Sequence, residues 1–261
     1  MFRALSSAAT GMQAQEKRVG SIANNIANVN TAGYRKSRVE FQDMLYDKLS
    51  PAGAVTGEGT QKPTGFEIGQ GVKAVGTLRD FSLGEFRPTG RVLDLAIEGS
   101  GFFQIQRPDG EILYTRDGSF KLDAQKRVVN SDGFPIEPAV TLPDGFDQFM
   151  VSKDGRVSVV NKGQTEPTEV GQIQIVSFSN PSGLEAMGGN LFQKSPASGE
   201  PTIGPPGSQG VGFLLSGFTE TSNVQMVEEM VEMISAKRAY ESNSRVVKAA
   251  DDMLRTATQI K

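Results

Sequence analysis

The 261-residue chain contains neither cysteine nor histidine. The first absence excludes disulfides, thiol catalysis and thiolate metal sites, and it suits a chain that passes between compartments of different redox poise. The second removes the commonest proton shuttle and the commonest metal ligand. Charge of one sign is lacking too. Lys and Arg number 27 against 30 Asp and Glu, a formal net charge of -3, so no global field draws nucleic acid or an anionic membrane. No apolar run approaches the roughly 20 residues of a transmembrane helix. Near the N-terminus, Ser6, Ser7, Gln13, Gln15 and Glu16 interrupt any apolar core and no cleavage pattern follows, so no cleaved secretory signal is expected. What is plentiful is turn-forming residues, 30 Gly and 13 Pro, in a chain long enough for one large or two small domains.

Both ends carry a seven-residue repeat. Met226, Met233, Tyr240, Val247 and Leu254 form one column and Ala236, Asn243, Ala250 and Ala257 a second, with no Pro or Gly between Asn223 and Lys261. That pattern predicts a long helix packed lengthwise on others. Ser222 to Gln225 fits a capping box at its start. Leu5, Met12, Val19 and Ile26 repeat in the same way, with Ala8, Gln15, Ile22 and Val29 three positions on. Gly11 and Gly20 weaken this N-terminal helix by about 1 kcal/mol each. Ser21, Asn24, Asn25 and Asn28 crowd one face, where poor helix formers need hydrogen-bond partners, expected across an interface. Gly33 reads as the helix stop. Beyond it, Phe41, Met44, Leu45 and Leu49 are able to share a helical face.

Between the ends the composition changes. Residues 50–71 and 195–212 are rich in Gly, Thr, Ser and Pro and read as extended connectors. Asp109-Gly110, Asp117-Gly118, Asp132-Gly133, Asp144-Gly145 and Asp154-Gly155 separate short apolar runs, a strong hairpin signal. The expected fold is α+β, with long N- and C-terminal helices pairing as a coiled-coil-like discontinuous domain around an inserted, mainly antiparallel β domain. The boundaries expected are 1–49 for the first half of the helical domain, 50–75 for the connector, 76–217 for the β domain and 218–261 for the second helical half.

Little in the sequence resembles a reaction centre. Gly69-Gln70-Gly71 and Gly99-Ser100-Gly101 do not complete a dinucleotide fingerprint or a phosphate loop, and Ser100 has no histidine to activate it. Asp109, Asp117, Asp123, Asp132 and Asp154 are the one source of a carboxylate pair for glycoside hydrolysis, but four of the five precede glycine, as turn residues do.

Ser21-Ile-Ala-Asn-Asn-Ile-Ala-Asn-Val-Asn-Thr-Ala-Gly-Tyr34 resembles the N-terminal signature of the bacterial flagellar rod and hook proteins. The run from Glu220 to Val224 and that from Met233 to Ser244 resemble its C-terminal partner. Gly99-Ser-Gly-Phe-Phe103 and Tyr114-Thr-Arg-Asp-Gly-Ser-Phe120 resemble the core of the family's β domain. Length and the segment Gly65 to Gly71 favour the distal-rod branch over a proximal rod or hook subunit. The resemblance implies a non-catalytic structural subunit without cofactor or metal, polymerising with itself into a helical tube that transmits torque and walls the export channel. Its implied partners are the proximal rod subunits, the hook protein, basal-body ring proteins acting as a bushing, and the flagellar type III export apparatus. Neither nucleic acid nor direct membrane insertion is implied, and the location is the periplasm-spanning rod. On this reading Leu5, Met12, Val19, Asn24, Asn25, Ile26 and Asn28, with Met226, Met233, Tyr240, Asn243, Val247 and Leu254, are expected at contacts between subunits. The rival of another class is a cell-wall glycosidase using the turn aspartates.

Overall fold

The computed structural model describes residues 2–53, 55–57, 60–61, 63–143, 145–161, 166–208 and 210–259. Helix α1 spans Phe2–Ala27 and helix α2 spans Met226–Gln259, with antiparallel β structure between them. The fold is α+β, and the packing divides it into two units.

The first unit comprises Met1–Ala27, Ser37–Arg79 and Gln225–Lys261. Its helices pack on each other. The expected helical face at 39–49 is a correction. Ser37–Asp43 is a strand, paired antiparallel with Val72–Arg79, and Tyr46–Ser50 is a second, paired with Phe66–Gly69. Val39 and Phe41 alternate with Arg38, Glu40 and Gln42, and this period of two prevails over the looser 3.6 pattern. The segment 50–71, expected as an extended connector, is accordingly the far part of a hairpin. Ala54, Glu58, Gly59 and Lys62 of it lie outside the described residues.

Two helix boundaries also differ from expectation. The N-terminal helix ends at Ala27, six residues before Gly33, because Asn28, Asn30 and Thr31 favour a turn, with Thr31 N–H donating to the Asn28 carbonyl at 3.1 Å. At the start of α2 the capping box is not formed. Ser222 Oγ accepts the Val224 N–H at 3.2 Å instead, and the first α-helical bond runs from Glu229 N–H to the Gln225 carbonyl at 3.1 Å. A Ser hydroxyl satisfies a local turn as readily as a helix end.

The second unit comprises Asn28–Lys36 and Asp80–Val224. Its largest sheet has five strands, in the order Ile136–Glu137, Phe103–Gln106, Ile112–Thr115, Leu191–Gln193 and Glu185–Gly188. Asp109-Gly110 closes the hairpin between Phe103–Gln106 and Ile112–Thr115, and Asp154-Gly155 that between Phe146–Val151 and Arg156–Asn161. Asp144 of the Asp144-Gly145 pair lies outside the described residues.

Asp117-Gly118 is no hairpin turn. A Cβ on Gly118 would fall 1.6 Å from the Leu95 carbonyl oxygen, so glycine is there for close backbone approach. The neighbours Phe102 and Phe103 point to opposite faces, as strand geometry requires. Phe103 joins the main core with Leu95, Ile105, Leu113, Phe120 and Ile175, whereas Phe102 joins a second cluster with Tyr114, Phe178 and Phe192. Each such side chain contributes about 1.5–3 kcal/mol on burial.

Candidate functional site

The helix pair of the first unit holds the expected assembly residues. On α2 the small column faces inward from Ala236 to Ala250, whereas Ala257 near the helix end is exposed. Ala236 and Ala250 are buried, and Gly11 of α1 lies so close to Asn243 that a Cβ there would come within 2.8 Å of its amide nitrogen. Small side chains let helix backbones approach, so the two glycines that weaken α1 intrinsically are not equivalent. Gly11 makes the contact, whereas Gly20 has open space beside it. Leu5, Met12, Val19 and Ile26 on α1 and Met233, Asn243, Val247 and Leu254 on α2 are half-buried, and Met226 and Tyr240 are exposed. A strict seven-residue repeat drifts by about 20° per heptad around a straight helix, so one column cannot face α1 along its whole length. Glu16, Val19, Met233, Lys237 and Tyr240 line a surface groove of about 420 Å³.

Asn24, Asn25 and Asn28 do not act alike. Asn24 is exposed and Asn28 half-buried, its side-chain oxygen accepting from the Thr31 hydroxyl at 3.2 Å. Asn25 is 1% exposed, and its amide is engaged within the chain. Its Nδ2 donates to the Ser37 carbonyl at 2.9 Å and to Glu229 Oε2 at 3.0 Å, and its Oδ1 accepts the Ser37 N–H at 3.0 Å. Ser21 Oγ adds a bond to the same carbonyl at 2.9 Å. This cluster ties α1, α2 and the first strand together. Replacing Asn25 by Ala is expected to cost about 2–4 kcal/mol, because the half-buried Ser37 amide loses its acceptor and buried Glu229 loses a donor. Hydrogen exchange in the last turns of α1 measures this; unchanged protection there would refute it.

The sequence reading missed Val227, Met230, Val231 and Ile234 of α2, all between 48% and 74% exposed. Their spacing of three, four and seven residues marks one helical face. Val227 precedes buried Ala236 by nine residues, or two and a half turns, which sets that face opposite the side packed on α1. The denser heptad columns beside it masked this signal.

Three of the turn aspartates are occupied by their own turns. Asp109 Oδ1 accepts from Glu111 N–H at 3.1 Å, Asp117 Oδ1 from Ser119 N–H at 3.0 Å, and Asp132 Oδ2 from Asn130 Nδ2 at 3.3 Å. At Asp123 desolvation raises the carboxyl pKa, but backbone and side-chain hydrogen bonds from Arg127 outweigh it and hold the group below its ordinary value. That is the wrong direction for a general acid in glycoside hydrolysis. Among the described residues no group of three Asp or Glu side chains is placed to hold a metal ion.

Three family patterns match the chain in order. "Flagella basal body rod protein" covers residues 5–35, "Flagellar hook protein FlgE/F/G D1 domain" residues 96–159, and "Flagellar basal body rod FlgEFG protein C-terminal" residues 215–260. The flagellar basal-body rod protein FlgG of Borreliella burgdorferi is 46% identical over 263 aligned positions, spanning 100% of this chain and 99% of that protein. The chain belongs to the flagellar basal-body rod protein family. FlgG of Caulobacter vibrioides is 45% identical, with all of both chains aligned. Bacillus subtilis supplies a comparison within one organism: its FlgG is 39% identical over the whole of both chains, its hook-basal body complex protein FlhP 24% over 97% of each. The first and third patterns of this rod-family chain cover most of α1 and α2, and the second covers the centre of the β unit.

Proposed function

We propose that this rod-family chain is a structural, non-catalytic subunit of the flagellar distal rod, polymerising with copies of itself into a tube that carries torque and walls the export channel. Full-length identity to FlgG proteins supports that branch over the FlhP type. The observation that carries self-assembly is the apolar face of α2. Val227, Met230, Val231 and Ile234 stand exposed on a helix whose opposite side is already packed. A contiguous apolar patch on a helix marks a protein contact. The groove at Val19, Met233 and Tyr240 opens in another direction, so each subunit carries two different surfaces, as an open helical polymer requires.

In this reading the expected residues divide by location. Leu5, Met12, Val19, Ile26, Met226, Met233, Tyr240, Val247 and Leu254, with exposed Asn24, serve contacts between subunits. Asn25 and Asn243 set the geometry of the helix pair from within, and Asn28 supports the turn after α1 through the Thr31 hydroxyl. Proximal rod subunits, hook protein, ring proteins and the export apparatus remain the partners this role assigns.

Electron microscopy of the concentrated protein tests the reading. Straight tubes are the expected result. Curved tubes would assign a hook-type role, and a chain that stays monomeric at every concentration would remove the polymer role.

A further inference from the structure

The segments matched by the three family patterns each contribute one residue to a buried ion cluster in the second unit. Arg35 Nη2 lies 2.6 Å from Glu220 Oε1 and Arg116 Nη1 lies 3.4 Å from Glu220 Oε2, and none of the three side chains is more than 4% exposed. The Gly84 N–H adds a bond to Glu220 Oε1 at 3.0 Å, and the Gly33 N–H donates to the Glu220 carbonyl at 2.9 Å. Arg116 also donates to the carbonyls of Ile97 at 3.1 Å and Gly99 at 2.6 Å. Beside the ions, Asn223 joins the same segments, accepting from Lys36 N–H at 2.7 Å and donating to the Asp80 carbonyl at 2.9 Å. Gly33, at φ +67°, brings its backbone so near residues 116 and 117 that a Cβ would stand 2.6 Å from the Asp117 nitrogen.

Two guanidinium groups thus share one carboxylate. Burial pushes the Arg116 pKa down to about 10, the attraction of Glu220 opposes this, and the neighbouring charge of Arg35 adds to it. Arg35 comes from the N-terminal flank, Arg116 from the centre of the unit, and Glu220 from the C-terminal flank, at the end of the strand Phe218–Glu220 that pairs with Phe86–Pro88.

We propose that Glu220 is a closing latch: Arg35 and Arg116, brought together without it, keep the β unit open until both of its flanks are in place. Residues 28–217 contain the apolar core but bring two cations together without a counter-charge. Uncompensated buried charge opposes closure by about 10²–10³-fold in the folding equilibrium. A chain that emerges N-terminus first completes this unit only when residue 220 arrives. The latch stands on the ion geometry and not on the rod assignment.

Hydrogen exchange of the full-length chain tests it on the strands Phe103–Gln106 and Ile112–Thr115. Glu220→Gln is expected to speed exchange there about 10²–10³-fold. Opening confined to 33–36 and 218–224 would overturn the latch. The triple substitution Arg35→Met, Arg116→Met and Glu220→Gln removes all three buried charges. It is expected to return protection in these strands to within about tenfold of wild type. If Glu220→Gln does not fold at all, this triple variant decides the matter. Wild-type-like protection in the triple variant supports charge compensation, and a triple variant as open as the single one overturns it. Straight-tube assembly is not part of this readout, so the latch and the rod role fail separately.

Discussion

Tyr240→Asp is expected to abolish tube formation while leaving the β unit folded. Tyr240 is 44% exposed and lines the groove with Val19 and Met233, so in the isolated subunit the change is a surface substitution, within about 0.5 kcal/mol of neutral. In a polymer that fills the groove, the same carboxylate is desolvated without a cation partner. The nearest rim groups are Glu16 and Lys237, one of each sign, which leaves little net field to compensate it. Burying an unpaired charge costs several kcal/mol per contact, and the penalty recurs at every subunit added. Sedimentation and electron microscopy measure assembly, and near-ultraviolet circular dichroism of buried Tyr114 reports the β unit. Tubes at the wild-type protein concentration would show that the groove is not a subunit contact.

Gly118→Ala should have the largest effect on stability. Its Cβ would press against the Leu95 carbonyl oxygen at 1.6 Å and the Leu95 carbonyl carbon at 2.7 Å. Both are backbone atoms, and Leu95 is itself 1% exposed in the main core and donates its N–H to the Gly118 carbonyl at 3.0 Å. No flexible side chain can yield, so relief requires separating two core segments. A loss of about 4 kcal/mol or more is expected, enough to unfold a unit of ordinary stability. Gly110→Ala supplies the scale. Nothing lies within 4 Å of that position, and its φ of +87° alone costs about 1–2 kcal/mol. Urea unfolding of the two variants should therefore separate widely. Similar midpoints would mean that the close approach at Gly118 relaxes cheaply.

Asp117-Gly118 also illustrates how far local chemistry can be read. Asp109-Gly110 and Asp154-Gly155 do turn hairpins, since a three-residue loop with glycine at positive φ is decided by the residues in it. The same dipeptide at 117–118 lies against Leu95, more than twenty positions earlier in the chain, and no local pattern reveals that neighbour. Strand formation at 37–50 was visible in the alternation of Val39 and Phe41, but four larger apolar residues also fit a helical face. Pairing with 66–79 decided between them.

The sequence by itself determined that two long helices bracket an antiparallel β unit, because heptad spacing and Asp-Gly turns are local properties of the chain. Its composition also excluded thiol and imidazole chemistry, and no apolar run reaches the length of a transmembrane helix. Only the tertiary structure decided which helical column faces inward. Heptad spacing marks a seam without saying which of two columns occupies it, and the close approach of Gly11 to Asn243 selects the small one. The apolar face at Val227 and Ile234 is left exposed as a result. Tertiary structure likewise separated Asn25, held inside by Ser37 and Glu229, from exposed Asn24, and gathered Arg35, Arg116 and Glu220 around one carboxylate. Hydrogen bonds and ion pairs such as these, between residues up to 204 positions apart, leave no periodic trace, since their partners are chosen by packing and not by spacing.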